Sequence, residues 1–490
     1  MTSAQSRRSV AIVGGGLAGL AAGCALSDSG FVVTVYERRP YLGGRASSYE
    51  HPGTGEVVDN CQHVLLGCCT SLTDFYHRIG VEDQIRWYDR LTFMEPGGRV
   101  SEIGMSGLPA PLHTAPSFLG ARMLSFADKL AITRAMLALM PRMPEDDGRN
   151  FLEWLKQHGQ TERAIERFWK VILVSALNEE LDRVSVNNAA MVFRESFLKS
   201  AQAGRMGVPT VPLTELYGKA GDYIAAHGGR IEMRASVEGM QASIFRKSAT
   251  GLTSNPERVA DTPIDPAVKL CIRDRDGSRE VLPDFALLAV PFDSLERIVP
   301  DSSESRPLRA LLGRFETSPI TGVHLWFDRQ ITGLEHAVLL DRTIQWMFHK
   351  SKIQNRQGAD SGSYVELVIS ASKTLLEKSR GEIIELCVRE LTEFFPAVRD
   401  AELLKATVIK EVHATFSPVP GSDAYRPTSE TPWPQVSLAG DWTATGWPAT
   451  MEGAVRSGYL AAEAICRAAG IERRFLVPNL PATGLMRLLG

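Results

Sequence analysis

The first forty residues carry two hydrophobic rhythms. Positions 10–13 are an unbroken apolar run of strand length. The next apolar positions suit a helix over 17–28, and Gly30 marks its end. Positions 31–37 are β-branched and aromatic, which predicts a second strand. About thirty residues of strand, helix and strand make one β-α-β unit, the opening of a doubly wound sheet. From about 70 to 200 helical spacing dominates, at 71–79, 126–140, 151–158 and 162–176. The intervening stretch 108–119 is apolar, proline-rich and free of Asp, Glu, Lys and Arg. A further helix is expected over 213–227, ending at Gly228-Gly229, then a strand over 230–240 and a polar surface excursion over 246–268. Positions 285–290 predict a buried strand stopped by Pro291, and 320–370 alternate in β fashion. A helix over 382–395, a proline-rich loop over 417–434, a strand over 436–439, a helix over 452–469 and a tail complete the chain.

At 490 residues the chain is roughly three times the usual domain length, so more than one domain is expected. With 44% hydrophobic and 23% charged residues it reads as globular, which excludes disordered, collagen-like and coiled-coil classes. Lys and Arg number 54 against 57 Asp and Glu, so there is no basic footprint and nucleic acid is not an expected partner. Seven cysteines without a C-x-x-C pair argue for free thiols in a reducing cytoplasm and for no metal site. Arg7-Arg8 before an apolar run imitates a twin-arginine export signal. The glycines of that run belong instead to a binding motif, so the segment is expected to be retained. No uninterrupted apolar window of membrane-spanning length occurs elsewhere.

The chemistry starts at Gly14-x-Gly16-x-x-Gly19, which follows a strand and opens a helix, with Glu37 ending the next strand. The glycines serve a tight turn, close backbone approach to a pyrophosphate, and helix–sheet packing. The helix N-terminus favours the phosphates, and Glu37 is spaced to accept hydrogen bonds from a ribose diol. Gly43-Gly44-Arg45 comes next, where a guanidinium can bridge phosphate oxygens. Far downstream stand Gly440-Asp441 at a strand end and Met451-Glu452-Gly453-Ala454 at a helix start.

These three elements, in this order, resemble the flavin amine oxidase and phytoene desaturase superfamily. The resemblance implies an FAD site: Asp441 at the ribityl–phosphate region, the helix start at Met451, Glu452, Gly453 and Ala454 facing the flavin ring, and Val237 at the adenine. No cysteine of the covalent-tether motif is present, so FAD is expected to be noncovalent. The fold class implied is α/β, a doubly wound FAD-binding domain of glutathione-reductase type with an interleaved α+β substrate domain. Its FAD-binding segments are 1–70, 206–300 and 421–470. The substrate segments are 71–205, mainly helical, and 301–420, the β-sheet part, with 471–490 as the tail.

Within that superfamily the stretch Val58-Asp-Asn-Cys-Gln-His-Val-Leu-Leu-Gly-Cys-Cys-Thr70 is similar to the squalene-associated FAD-dependent desaturase group. That resemblance implies reductive removal of the hydroxyl of hydroxysqualene to give squalene, in bacterial squalene and hopanoid synthesis. The substrate is then a long apolar isoprenoid. Expected partners are prenyl-synthase enzymes of the pathway and the inner face of the plasma membrane, reached by a cytoplasmic enzyme through 108–140. His63 is the candidate general acid, because it lies in the flavin-lining stretch and titrates near neutral pH; Asn60 and Gln62 are expected to position the ring. The alternatives are a carotenoid-type desaturase or isomerase, an amine oxidase, and a flavin-bearing scaffold. The sequence shows no second dinucleotide motif for a nicotinamide reductant.

Overall fold

The computed structural model describes residues 7–242, 268–354 and 362–488. Ser6, beside the paired arginines, and nearly all of the excursion expected at 246–268 lie outside them. Val268 opens a strand.

Five parallel strands form the cofactor-side sheet, in the order Arg230–Met233, Val32–Glu37, Ser9–Val13, Phe285–Leu288 and Val436–Leu438. Such strands are covered on both faces, and accordingly Val10–Val13 and Phe285–Leu288 are buried throughout. The helix Leu17–Asp28 has every residue but the last buried, between the helices Leu213–Ala226 and Met451–Ala468. Its density of alanine and glycine lets the backbones come close. A Cβ on Gly458 would lie 2.3 Å from the Ala18 carbonyl oxygen, so only glycine fits this crossing.

The strand expected over 230–240 is two strands. Arg234 has φ +57°, which breaks the run after Met233. Ser236–Ala242 then leaves the parallel sheet to pair antiparallel with Val268–Asp274, itself paired with Gly277–Val281.

A seven-stranded mixed sheet forms the other body, in the order Leu403–Phe416, Thr317–Phe327, Ser363–Ser370, Trp346–His349, His336–Leu339, Arg90–Met94 and Val100–Gly104. The helix Arg380–Phe394 packs Ile383, Cys387, Leu391 and Phe394 onto one side of it. A helical layer from 115 to 198 with its own aromatic core, including Phe151, Trp169 and Phe193, makes the rest. The two strands at 90–104 come from a stretch where only helices were expected. The helix expected over 162–176 runs to Leu177 and widens to a π-helix over Ile165–Lys170. The final segment, expected as a tail, lies along the helical layer: Thr483 and Leu485 donate backbone hydrogen bonds to Lys199 and Ala110, and Met486 is buried.

Candidate active site

A cavity of about 720 Å³ runs between the two bodies. Gly14, Gly16, Glu37, Gly43, Gly44, Arg45, His63, Val237, Asp441, Met451, Glu452 and Ala454 all line it. Segments more than 400 residues apart therefore converge on one space. Gly19 and Gly453 stand behind the wall, Gly19 packed on the Gly14 carbonyl and Gly453 donating its N–H to Thr450 Oγ1.

The glycine cradle is built by close approach of two turns. Gly14 has φ +108°, and a Cβ there would lie 2.5 Å from the Ala289 carbonyl oxygen. Gly43 N–H donates to Gly15 O at 2.9 Å, which holds the second glycine turn against the first. Glu37 accepts from Gly15 N–H and Arg39 N–H, both at 2.7 Å, and each oxygen keeps a second lone pair for a ribose diol. A pyrophosphate fits this bare backbone and the N-terminus of the helix at Leu17. FAD thus fits the residues present.

Arg45 reaches across to the third element, donating to Asp441 Oδ1 at 2.5 Å and to Ala414 O at 2.9 Å. Arg426, buried in the proline-rich loop, donates to the carbonyls of Asp441, Thr443 and Trp447 and so sets the loop that carries Asp441. The helix Met451–Ala468 is capped by Thr450 Oγ1. Its Glu452 carboxylate is committed elsewhere: it accepts from the N–H groups of Ser71 and Leu72, at the start of the helix Thr70–Arg78. Glu452 therefore joins two elements, and it is the backbone of this helix start that is offered to a flavin.

Residues 61–66 line the cavity, and the stretch 58–66 rests on a buried charge cluster. Lys350 Nζ donates to Asp59 Oδ2 at 2.5 Å and to Gln62 Oε1 at 2.7 Å, and lies 3.4 Å from Glu366. All three ionisable side chains are 3% exposed or less. Burial pulls the Asp59 carboxyl upward, but the Lys350 ammonium and its hydrogen bonds outweigh this and hold it below its ordinary value. One ammonium cannot balance two carboxylates. Glu366 is pushed up to about 7, by burial first, with Lys350 opposing and Asp59 adding. Asp59 Oδ1 also accepts from Ser48 Oγ and Leu213 N–H, while Asn60 Nδ2 donates to Arg45 O. The glycine–arginine loop is thereby tied to the same cluster.

His63 lies on the cavity wall, with Nδ1 2.8 Å from the Cys61 carbonyl oxygen. A carbonyl only accepts, so Nδ1 carries the proton and Nε2 the free lone pair. Burial outweighs that hydrogen bond and holds the imidazole below its ordinary value. His63 is therefore neutral at neutral pH, an acceptor through Nε2 with its one N–H already used. In the general-acid role expected of it, His63 would have to take up its proton at Nε2. Asn60 and Gln62 hold the loops, as described, through Arg45 and Lys350.

Beyond His63 the wall turns apolar, with Leu91, Ile172, Met191, Val192, Phe197 and Trp346. The helix Phe126–Leu139 does not supply it. Ala131, Ile132, Ala135 and Leu139 face the protein core, while Phe126, Leu130 and Leu137 point outward and are 80%, 43% and 57% exposed. Neither Lys350 nor Glu366 was legible as a site residue, because each stands in a strand-and-turn context without a motif.

The pattern that defines the family described as Flavin containing amine oxidoreductase matches residues 17–466. The chain is similar to the 15-cis-phytoene desaturase of Synechococcus elongatus, 26% identical over 477 residues, spanning 93% of this chain and 95% of that one. It is also similar to the zeta-carotene desaturase of Arabidopsis thaliana, 25% identical over 493 residues, spanning 94% and 85%. Among solved structures, an oxidoreductase from Methanosarcina mazei superposes with a TM-score of 0.68 at 17% identity, over 92% and 98% of the two chains. Cyclohexylamine oxidase from Brevibacterium oxydans gives 0.66 at 16%, over 95% and 100%. At such identities these structures establish a shared fold.

Proposed function

The chain belongs to the flavin-containing amine oxidoreductase family and takes FAD; on that premise we propose that it reduces hydroxysqualene to squalene and water. The observation that carries this reading is that one cavity is lined both by the dinucleotide cradle and by a run of apolar residues, with 61–66 on the same wall. An apolar wall suits a long isoprenoid chain. The stretch itself is the part of the sequence most similar to the squalene-associated group.

The balance is simple: the alcohol loses its oxygen as water, and carbon gains a hydrogen in its place. When bound and reduced, FAD supplies the hydride equivalent. The chain's own residues fix the cofactor through the cradle and through Asp441, present an apolar wall to the hydrocarbon, and keep water from the reacting carbon. FAD is held noncovalently. A second reading is desaturation of a carotenoid precursor, with hydride moving from substrate to flavin. It is favoured by the relatives named for phytoene and zeta-carotene. Anaerobic photoreduction of the purified protein, followed by hydroxysqualene, separates the two. Reoxidation of the flavin with squalene appearing supports the first; no reoxidation, together with reduction of oxidised enzyme by phytoene, supports the second and sinks the first.

The substrate lives in a bilayer, and peripheral contact with the inner face of the membrane is part of this reading. Among the described residues no helix is long and apolar enough to cross a membrane. Leu108, Leu112, Leu119, Phe126, Leu130 and Leu137 are exposed within one stretch. The exposed charges within that stretch, Arg122 and Arg134, are both basic, as anionic lipid favours.

A further inference from the structure

The apolar end of the cavity contains a carboxylate that nothing described so far employs. The helix Val186–Phe193 continues as a π-helical turn over Arg194–Leu198. In a regular α-helix three successive residues spread over about 200° and cannot share one face. The wider turn brings Glu195, Ser196 and Phe197 all to the cavity wall. Met191, one turn earlier, packs with Trp447 and Cys68, and Ser196 Oγ lies 3.5 Å from Cys68 Sγ. Trp447 leads into the helix start at Thr450 and Met451. The neighbours of Glu195 in this turn thus border the elements that lead to the flavin-facing helix start.

The other carboxylates on the wall are committed. Glu37 serves backbone N–H groups, Asp441 pairs with Arg45, Glu452 holds the helix start at Ser71, and Glu238 pairs with Arg273. Glu195 is 10% exposed, and its Oε1 accepts from Lys199 Nζ at 2.5 Å. Its Oε2 makes no hydrogen bond among the described residues. The lysine balances the charge and leaves a second carboxylate oxygen on a side chain that lines a largely apolar chamber. Such an acceptor suits a ligand that is hydrocarbon nearly throughout and carries one O–H.

The geometry points to Glu195 as the residue that recognises an alcohol group on the isoprenoid chain, accepting its O–H through Oε2 and so selecting hydroxylated chains over plain hydrocarbons. This rests on the reading of the substrate as a hydroxylated C30 chain and adds the group that reads the hydroxyl. A site built around a hydrogen bond to a substrate hydroxyl discriminates strongly against the analogue lacking it. Lys199 acts through Glu195 and is a positioning residue.

The test is equilibrium binding to the FAD-loaded, oxidised protein, read as perturbation of the flavin absorbance by hydroxysqualene and by squalene. Wild type is expected to prefer the alcohol by roughly tenfold or more. Glu195→Leu is expected to abolish that preference, by weakening the alcohol and sparing the hydrocarbon, with FAD loading unchanged. Should Glu195→Leu fail to fold or load, Glu195→Gln carries the test: a neutral amide acceptor is weaker than a carboxylate, and the preference falls several-fold. An alcohol preference unchanged in either loaded variant overturns the inference. So does a wild type that binds both chains equally. A wild type that turns over hydroxysqualene without Glu195-dependent preference leaves the proposed reaction standing and removes only this assignment. A wild type that ignores both chains and is reduced by phytoene removes both.

Discussion

Replacing Glu366 with glutamine tests the buried cluster directly. In the folded protein this carboxyl stands at about 7 against an ordinary 4.5. A carboxyl raised on folding binds its proton more tightly in the native state, so it favours the fold at low pH. That advantage declines as pH rises from about 4.5 to 7. At about 1.4 kcal/mol for each pH unit, the gap corresponds to on the order of 3 kcal/mol. The side chain is fully buried, so solvent screening takes little from this. Glu366→Gln keeps the shape, removes the titration and leaves Lys350 paired with Asp59. Thermal unfolding of the FAD-loaded variant and wild type is compared at roughly pH 5 and pH 8. The wild type is expected to lose stability relative to the variant across that interval, with the variant the more stable at the upper end. Buried histidines such as His324 and His349, lowered to about 3 and 4 mainly by burial, tilt both proteins the other way, and the comparison cancels them. Parallel pH profiles for the two proteins would refute the idea that Glu366 holds the excess proton of the cluster.

Removing the cation is expected to be far worse: Lys350→Met leaves Asp59 buried and unpaired, at a cost of about 3–5 kcal/mol, read as a lower unfolding midpoint in urea with partial recovery in the Asp59→Asn background. Arg45→Ala frees Asp441 and loosens the second glycine turn, so FAD affinity measured by fluorescence titration is expected to fall at least about tenfold, one broken charge-assisted hydrogen bond's worth. His63→Asn keeps an acceptor on the wall, and kcat/KM for hydroxysqualene is expected to keep its pH profile between about 5.5 and 8. Loss of a limb in that range would support the imidazole as an acid. Phe126→Asp with Leu137→Asp is expected to reduce sedimentation with anionic liposomes several-fold while FAD loading stays intact, and unchanged sedimentation would remove the membrane face.

Local pattern was a good guide wherever neighbours in the chain were also neighbours in the fold. The helix Leu17–Asp28 has the limits its periodicity predicts, since a glycine before it and a glycine after it are punctuation any reader can see. The strand at 230–240 misled because Arg234 adopts φ +57°, a conformation arginine does not advertise. The helix Phe126–Leu139 has leucines on both faces, so its spacing alone could not say which face meets the core. The strands Arg90–Met94 and Val100–Gly104 form one end of the sheet with mixed polarity, which blurs the two-residue rhythm.

What the chain determined by itself is the cofactor end: three short motifs, each confined to a short local segment, because turns, helix starts and strand ends are local structures with local residue requirements. What tertiary structure alone decided is the company those motifs keep. Lys350 meets Asp59 across 291 positions, and Asp441 meets Arg45 across 396. Neither partnership is visible in sequence, even where, as at Arg45 and Asp441, the residue itself marks a motif. Their state depends on how far water has been excluded and which opposite charge lies within reach, quantities that exist only once distant segments have packed together.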